Sequence, residues 1–150
     1  MRILIVGLGS IGKKHAAFAS TFSDVGVVDS NTSEAREYAK QNQLTFLGAK
    51  LVSASTWNPD LIIICTPSQD HYETALQSLS FNKPLLIEKP ITIDEQQLVD
   101  LIAAAGKSKV MIFGVTNIRF SDQIQAIKRN IPRIGDPIFC SSRYGYYLPK

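Results

Sequence analysis

"MRILIVGLGSIGKKH", residues 1–15, runs an apolar stretch from Ile3 to Val6 straight into three glycines. Gly7, Gly9 and Gly12 have the spacing G-x-G-x-x-G, and the residues after them begin a helical pattern. In a strand-turn-helix each glycine has its own reason: Gly7 makes the tight turn, Gly9 leaves the backbone open to a pyrophosphate, and Gly12 lets the helix pack close to the strand. Ser10 and Ile11 then open the helix, where free amides and the helix dipole attract phosphate. Taken alone, the pattern also fits an ordinary strand-helix turn. Asp29 gives it content, because it ends a second apolar run, Val25 to Val28, at the distance where an acidic residue meets the ribose hydroxyls of a bound dinucleotide. Ser30 follows, and "DSNTS" (29–33) carries no arginine for a 2′-phosphate, so the spacing predicts NAD, with NADP less favoured. The plain alternative for Asp29 is a turn residue capping the next helix, a task Asn31 or Thr32 would do equally well.

Outward from this stretch, strand-like runs alternate with helical ones. The strand-like runs are Ile3 to Val6, Val25 to Val28, Leu61 to Cys65, Leu85 to Ile87 and Val110 to Phe113. Helical faces read as His15, Phe18, Ala19 and Phe22, then Tyr72, Ala75, Leu76 and Leu79, then Leu98, Leu101, Ile102 and Ala105. Asn31 with Glu34, and Thr92 with Glu95, have capping-box spacing, and the helix beginning at Asp94 is expected to close near Gly106. Such alternation predicts an α/β fold: a Rossmann, doubly wound parallel sheet with helices on both faces. After Gly114 come a polar link, a helix carrying Ile124, Ile127 and Ile131, and then "IGDPIFCSSRYGYYLPK" (134–150), which alternates like an antiparallel strand.

Composition narrows the function classes. The chain has 150 residues, 45% of them hydrophobic and 19% charged, which suits one ordinary domain with a real core. A net charge of +3 is spread without a basic cluster beyond Lys13 and Lys14, so no nucleic-acid partner is expected. No run approaches the length of a membrane span, and the N-terminus does not read as a signal peptide. Cys65 and Cys140 lie far apart in apolar contexts, which suggests reduced thiols, no metal site and a cytoplasmic protein.

The remaining motifs fall at the ends of strand-like runs. Leu85, Leu86 and Ile87 have no polar alternation and predict a strand buried on both faces, after which Glu88 and Lys89 stand before Pro90. Thr66 and Pro67 end the run before them, and His71 sits near the start of the following helix. In a doubly wound sheet, ligands bind outside the carboxyl ends of the strands, so Gly7, Asp29, Thr66, Glu88 and the 114–117 segment are expected along one edge, with His71 facing the crevice. His15, on an apolar stripe, reads as structural.

On these residues the chain resembles the N-terminal domain of the Gfo/Idh/MocA oxidoreductases. "GLGSIGKKH" (7–15), "TPSQDHYETA" (66–75), "EKP" (88–90), "GVTNIRF" (114–120) and "IGDPI" (134–138) occur in the order of that family. The resemblance implies hydride transfer between a nicotinamide cofactor and a sugar, cyclitol or related polyol. It gives Lys89 contact with the reacting oxygen of the substrate and puts Asn117 and Arg119 near the nicotinamide. The physical case for Lys89 runs parallel. Oxidising an alcohol removes a hydride from carbon and a proton from oxygen, and a cation beside that oxygen stabilises the growing negative charge. Partial burial would lower the lysine's proton affinity, and Glu88 would raise it. A different class of function, a dinucleotide-sensing module without catalysis, would need Gly7 to Asp29 but have no use for Lys89 or Asn117.

The resemblance also implies a dinucleotide-binding domain over residues 1–120, followed at 121–150 by a linking helix and the first strand of a second, α+β substrate domain. Residue 150 then reads as a truncation, with homo-oligomers formed through the sheet of the missing domain. In that reading the 150-residue piece binds cofactor but is inactive alone.

Overall fold

The computed structural model describes residues 1–136 together with residues 139 and 141. The chain divides into two compact units, Met1–Val115 and a second beginning at Thr116.

The first unit alternates strand and helix: β1 (Arg2–Val6), α1 (Ser10–Ala19), β2 (Asp24–Val28), α2 (Thr32–Gln41), β3 (Thr45–Gly48), β4 (Leu61–Ile64), α3 (His71–Ser78), β5 (Leu85–Ile87), α4 (Glu95–Ser108) and β6 (Ile112–Gly114). All adjacent strands pair in parallel, in the order β3-β2-β1-β4-β5-β6. Successive residues of each inner strand enter opposite layers of the core. Leu4 and Val6 join Ile62, Ile64, Leu85 and Ile87 against Ala75 and Leu79 of the α3 region and Leu101 and Ala105 of α4. Ile3 and Ile5 join Val25, Val27 and Ile63 against Ala16 and Ala19 of α1 and Ala35 and Ala39 of α2. Both faces are covered, which is why these strands read as continuous apolar runs. The strand order reverses between β1 and β4, and that switch opens a crevice at their carboxyl ends.

Several local expectations differ from the structure. The short edge strand β3 is absent from the pattern of apolar runs: its sequence is only "TFLG", it is partly exposed, and its register shifts between Val27 and Val28 of β2. Helix α1 packs through Gly12, Ala16 and Ala19, leaving Phe18 and Phe22 exposed. Small residues let the helix lie close to the sheet, so its largest apolar side chains mark its outer side. The cap of α4 is Asp94, whose carboxylate accepts the amide of Gln97, whereas Thr92 donates to the carbonyl of Asp94. That helix continues past Gly106 to Ser108 and ends on Lys109 in the left-handed conformation. The Asn31–Glu34 capping pair is present at α2.

In the second unit a 3-10 turn (Asn117–Phe120) precedes α5 (Asp122–Ile134), which is capped by the hydroxyl of Ser121. Its isoleucines 124, 127, 131 and 134 share one stripe, and no residue of the helix is buried. Of the alternating strand expected within 134–150, Pro137, Ile138, Cys140 and residues 142–150 lie outside the described residues.

Candidate cofactor site

Backbone pairing carries past the strand ends and lines up the motif residues. The amide of Gly7 donates to the carbonyl of Val28 at 2.9 Å, that of Cys65 to Val6 at 2.8 Å, and that of Glu88 to Ile64 at 3.0 Å. The amide of Asp29 reaches Gly48 at 3.2 Å. Gly7, Asp29, Cys65 and Glu88 therefore stand along one edge of the sheet, as the sequence pattern requires.

The three glycines separate by role. Gly7 has φ of +91°, and a Cβ there would lie 2.7 Å from backbone atoms of Cys65 and Thr66. A Cβ on Gly12 would fall 1.9 Å from the carbonyl oxygen of Gly7, so its hydrogen is what allows α1 to approach the turn. A Cβ on Gly9 would meet nothing within 4 Å. No contact inside the protein requires glycine there, so the backbone at Gly9 stands open to a ligand's approach. Asp29 takes the amide of Leu8 on Oδ2 at 2.5 Å and that of Asn31 on Oδ1 at 2.7 Å. The carboxylate is thereby fixed against the glycine turn, while each oxygen keeps a second lone pair for a hydroxyl donor.

A cleft of about 590 Å³ lies at this edge, and Gly7, Asp29, Ser30, Thr66 and Pro67 are among its lining residues. Its opposite wall comes from Ala49, Lys50, Leu51 and Val52, which carry no sequence signal because β3, the strand that delivers them, leaves none. The Oγ1 of Thr66 is buried without a partner among the described residues. An open Gly9, a fixed carboxylate and an orphaned hydroxyl together fit a bound dinucleotide. Ser10 and Ile11 form the first turn of α1 beside them, with Gly9 as its cap.

The Glu88–Lys89 step is built differently from expectation. Glu88, with its side chain 14% exposed, accepts from His15 Nε2 on Oε1 at 2.8 Å and from the amide of Lys89 on Oε2 at 3.1 Å. The carboxylate thus pairs with His15, and among the described residues the Lys89 ammonium makes no ion pair. Lys89 is exposed, not partly buried. The Lys89–Pro90 peptide is cis. Burial, aided by the charge of Glu88, pushes the thiol of Cys65 up to about 12, so it stays protonated at neutral pH. His71 also departs from expectation. Only 1% exposed, it has Nδ1 2.7 Å from the Pro90 carbonyl oxygen and Nε2 2.8 Å from that of Thr66. Both nitrogens face backbone, so His71 braces the turns after β4 and β5 from below and does not face the crevice. Asn117 and Arg119 belong to the turn of the second unit.

Residues 1–116 match the model of the Gfo/Idh/MocA oxidoreductase family, described as an NAD-binding Rossmann fold. The chain belongs to that family. Among relatives, it is 30% identical to the UDP-N-acetylglucosamine 3-dehydrogenase of Acidithiobacillus ferrooxidans over 113 residues, covering 75% of this chain and 36% of the relative. It is also 30% identical to the glucose-6-phosphate 3-dehydrogenase of Bacillus subtilis, covering 85% and 37%. A crystal structure of the A. ferrooxidans enzyme superposes with a TM-score of 0.78 at 28% identity, over 86% of this chain and 41% of that one. The Gfo/Idh/MocA chain described here thus spans about two fifths of the length of these relatives. At 21% identity, scyllo-inositol dehydrogenase of Lactobacillus casei, solved with NAD(H) and scyllo-inositol, shares the fold with a TM-score of 0.81 over 89% of this chain and 41% of that one.

Proposed function

We propose that this chain is the cofactor-binding part of an NAD-dependent oxidoreductase acting on a CH–OH group of a sugar, cyclitol or related polyol. The observation that carries this is the open Gly9 beside the fixed Asp29 carboxylate, in a chain whose relatives include dehydrogenases of sugars and inositols. The amides of Ser10 and Ile11 would hold the pyrophosphate, Asp29 and Ser30 the adenosine ribose, and Thr66 and Pro67 the wall along which the cofactor extends. The nicotinamide, when bound, accepts or returns the hydride. Lys89 supplies the protein's part: in the reducing direction its ammonium, unclaimed by Glu88, stabilises negative charge on the substrate oxygen and donates that oxygen's proton, and in the oxidising direction the neutral amine takes the proton back. A homo-oligomeric assembly and a cytoplasmic setting belong to the same reading.

The test is Lys89→Ala in the full-length protein. Loss of a positioned acid-base group should lower kcat/KM by about 10²- to 10⁴-fold, with NADH affinity unchanged within a few-fold. Unaltered turnover would remove Lys89 from the chemistry, and NADH binding without any turnover in wild type would favour the dinucleotide-sensing module instead.

A further inference from the structure

Beside the glycine turn lies a second, smaller hollow of about 170 Å³, lined by Leu8, Gly9, Asp29, Asn31, Glu34 and Ala35. It shares Asp29 with the larger cleft, so on the reading that Asp29 meets the adenosine ribose a 2′-phosphate would be held against it. Two of its six lining residues are carboxylates and none is a cation. A cation does stand next to it: Lys13, in the first turns of α1, whose Nζ is 2.5 Å from Oε1 of Glu34 and lies 5.3 Å above the ring of Tyr38. The second oxygen of Glu34 accepts from the side-chain amide of Asn31 at 3.0 Å, which fixes the carboxylate from its other side.

We propose that Glu34 is a cofactor-specificity residue that rejects a 2′-phosphate by closing the hollow with a second negative charge and by occupying Lys13, the lysine that would otherwise bind it. The inference rests on the dinucleotide reading of the cleft and deepens it, since the sequence pattern assigns the preference for NAD to Asp29 and the lack of an arginine in 29–33 and gives Glu34 no part. Its physical logic is exclusion as much as attraction. Discrimination between two ligands that differ by one dianionic group follows from the repulsion built against the larger one. Although the Lys13–Glu34 pair is partly exposed and adds little stability of its own, what matters is where it leaves the charges: Lys13 neutralised, and Asp29 facing the phosphate with no counter-charge. Removing one carboxylate charge would lower the repulsion and return a full positive charge to the same place.

The experiment is titration of the chain with NADH and NADPH, read as the ratio of the two dissociation constants, for wild type, Glu34→Gln, Lys13→Met and the double variant. Glu34→Gln should improve the relative affinity for NADPH by about tenfold, an effect that added salt weakens. The double variant should lose most of that gain, because the lysine that Glu34 releases is then missing. Lys13→Met alone should leave the preference for NADH in place. A ratio unchanged in Glu34→Gln, in protein that still binds NADH, would overturn the proposal while leaving the cofactor reading intact. So would a gain that persists in the double variant, which would deny Lys13 its role. Failure of wild type to bind either nucleotide would be a failure of the cofactor reading itself, and the inference would fall with it.

Discussion

Gly9 and Gly12 are three positions apart and identical in type, yet their surroundings predict opposite outcomes for the same kind of change. At Gly12 even a methyl group would overlap the Gly7 carbonyl, so Gly12→Ala should force α1 off the turn and destabilise the unit by several kcal/mol, about the range of severe core disruption. Urea unfolding should show a lower midpoint. At Gly9 a Cβ meets open space, so Gly9→Val should stay folded and lose no more than about 1 kcal/mol, the cost of a poorer N-cap residue. Cys65 offers a second residue-level prediction. Its raised thiol means that the fold binds this proton more tightly than the unfolded chain does. The associated stability is therefore fully present below the ordinary thiol value of 9.0 and falls as pH rises from there toward about 12. The slope should be at most about 1.4 kcal/mol per pH unit. Cys65→Ala should flatten this alkaline limb in unfolding measured between about pH 9 and 11.

Between elements, the His15–Glu88 pair fastens α1 to the end of β5 across 73 positions of sequence. His15→Ala would strand a carboxylate that is only 14% exposed, at a cost of about 1–3 kcal/mol. His15→Gln, which keeps a donor, should recover part of it, and chemical denaturation of the two variants compares them directly. In the sheet, Leu4 is fully buried in the central strand, and Leu4→Ala should cost about 2–5 kcal/mol by the same assay. What is legible in the sequence follows a physical rule. Inner strands are readable because burial on both faces demands unbroken apolar runs, and Gly7, Gly9, Gly12 and Asp29 are readable because each answers a local backbone or charge requirement. β3 is not, since a four-residue edge strand buries too little to leave a pattern. Nor is the His15–Glu88 pair, since spacing along a helix does not say which distant carboxylate a histidine will meet. His71 escapes the sequence pattern for the same reason: its partners are backbone carbonyls, and these leave no trace in residue type.

At the scale of the whole molecule, the 1–115 unit is an NAD-binding Rossmann fold whose candidate cofactor residues converge from the ends of strands far apart in sequence. Its two layers of core hold that edge still, and no described helix is long and apolar enough to cross a membrane. The chain alone, incubated with NAD and a panel of sugars and polyols, should bind cofactor and produce no Lys89-dependent reduced nicotinamide, because Lys89 by itself supplies neither a substrate pocket nor a second acid-base group. Robust turnover would contradict this. Everything else rests on binding, and titration of wild type and Gly9→Val with NADH, each checked by circular dichroism, decides it. Wild type should bind saturably, and Gly9→Val should keep a wild-type spectrum with affinity reduced by about 100-fold or more, since the valine side chain fills the approach to the pyrophosphate. Equal affinity in the two folded proteins, or no binding by wild type, would refute the assignment of this edge to a dinucleotide.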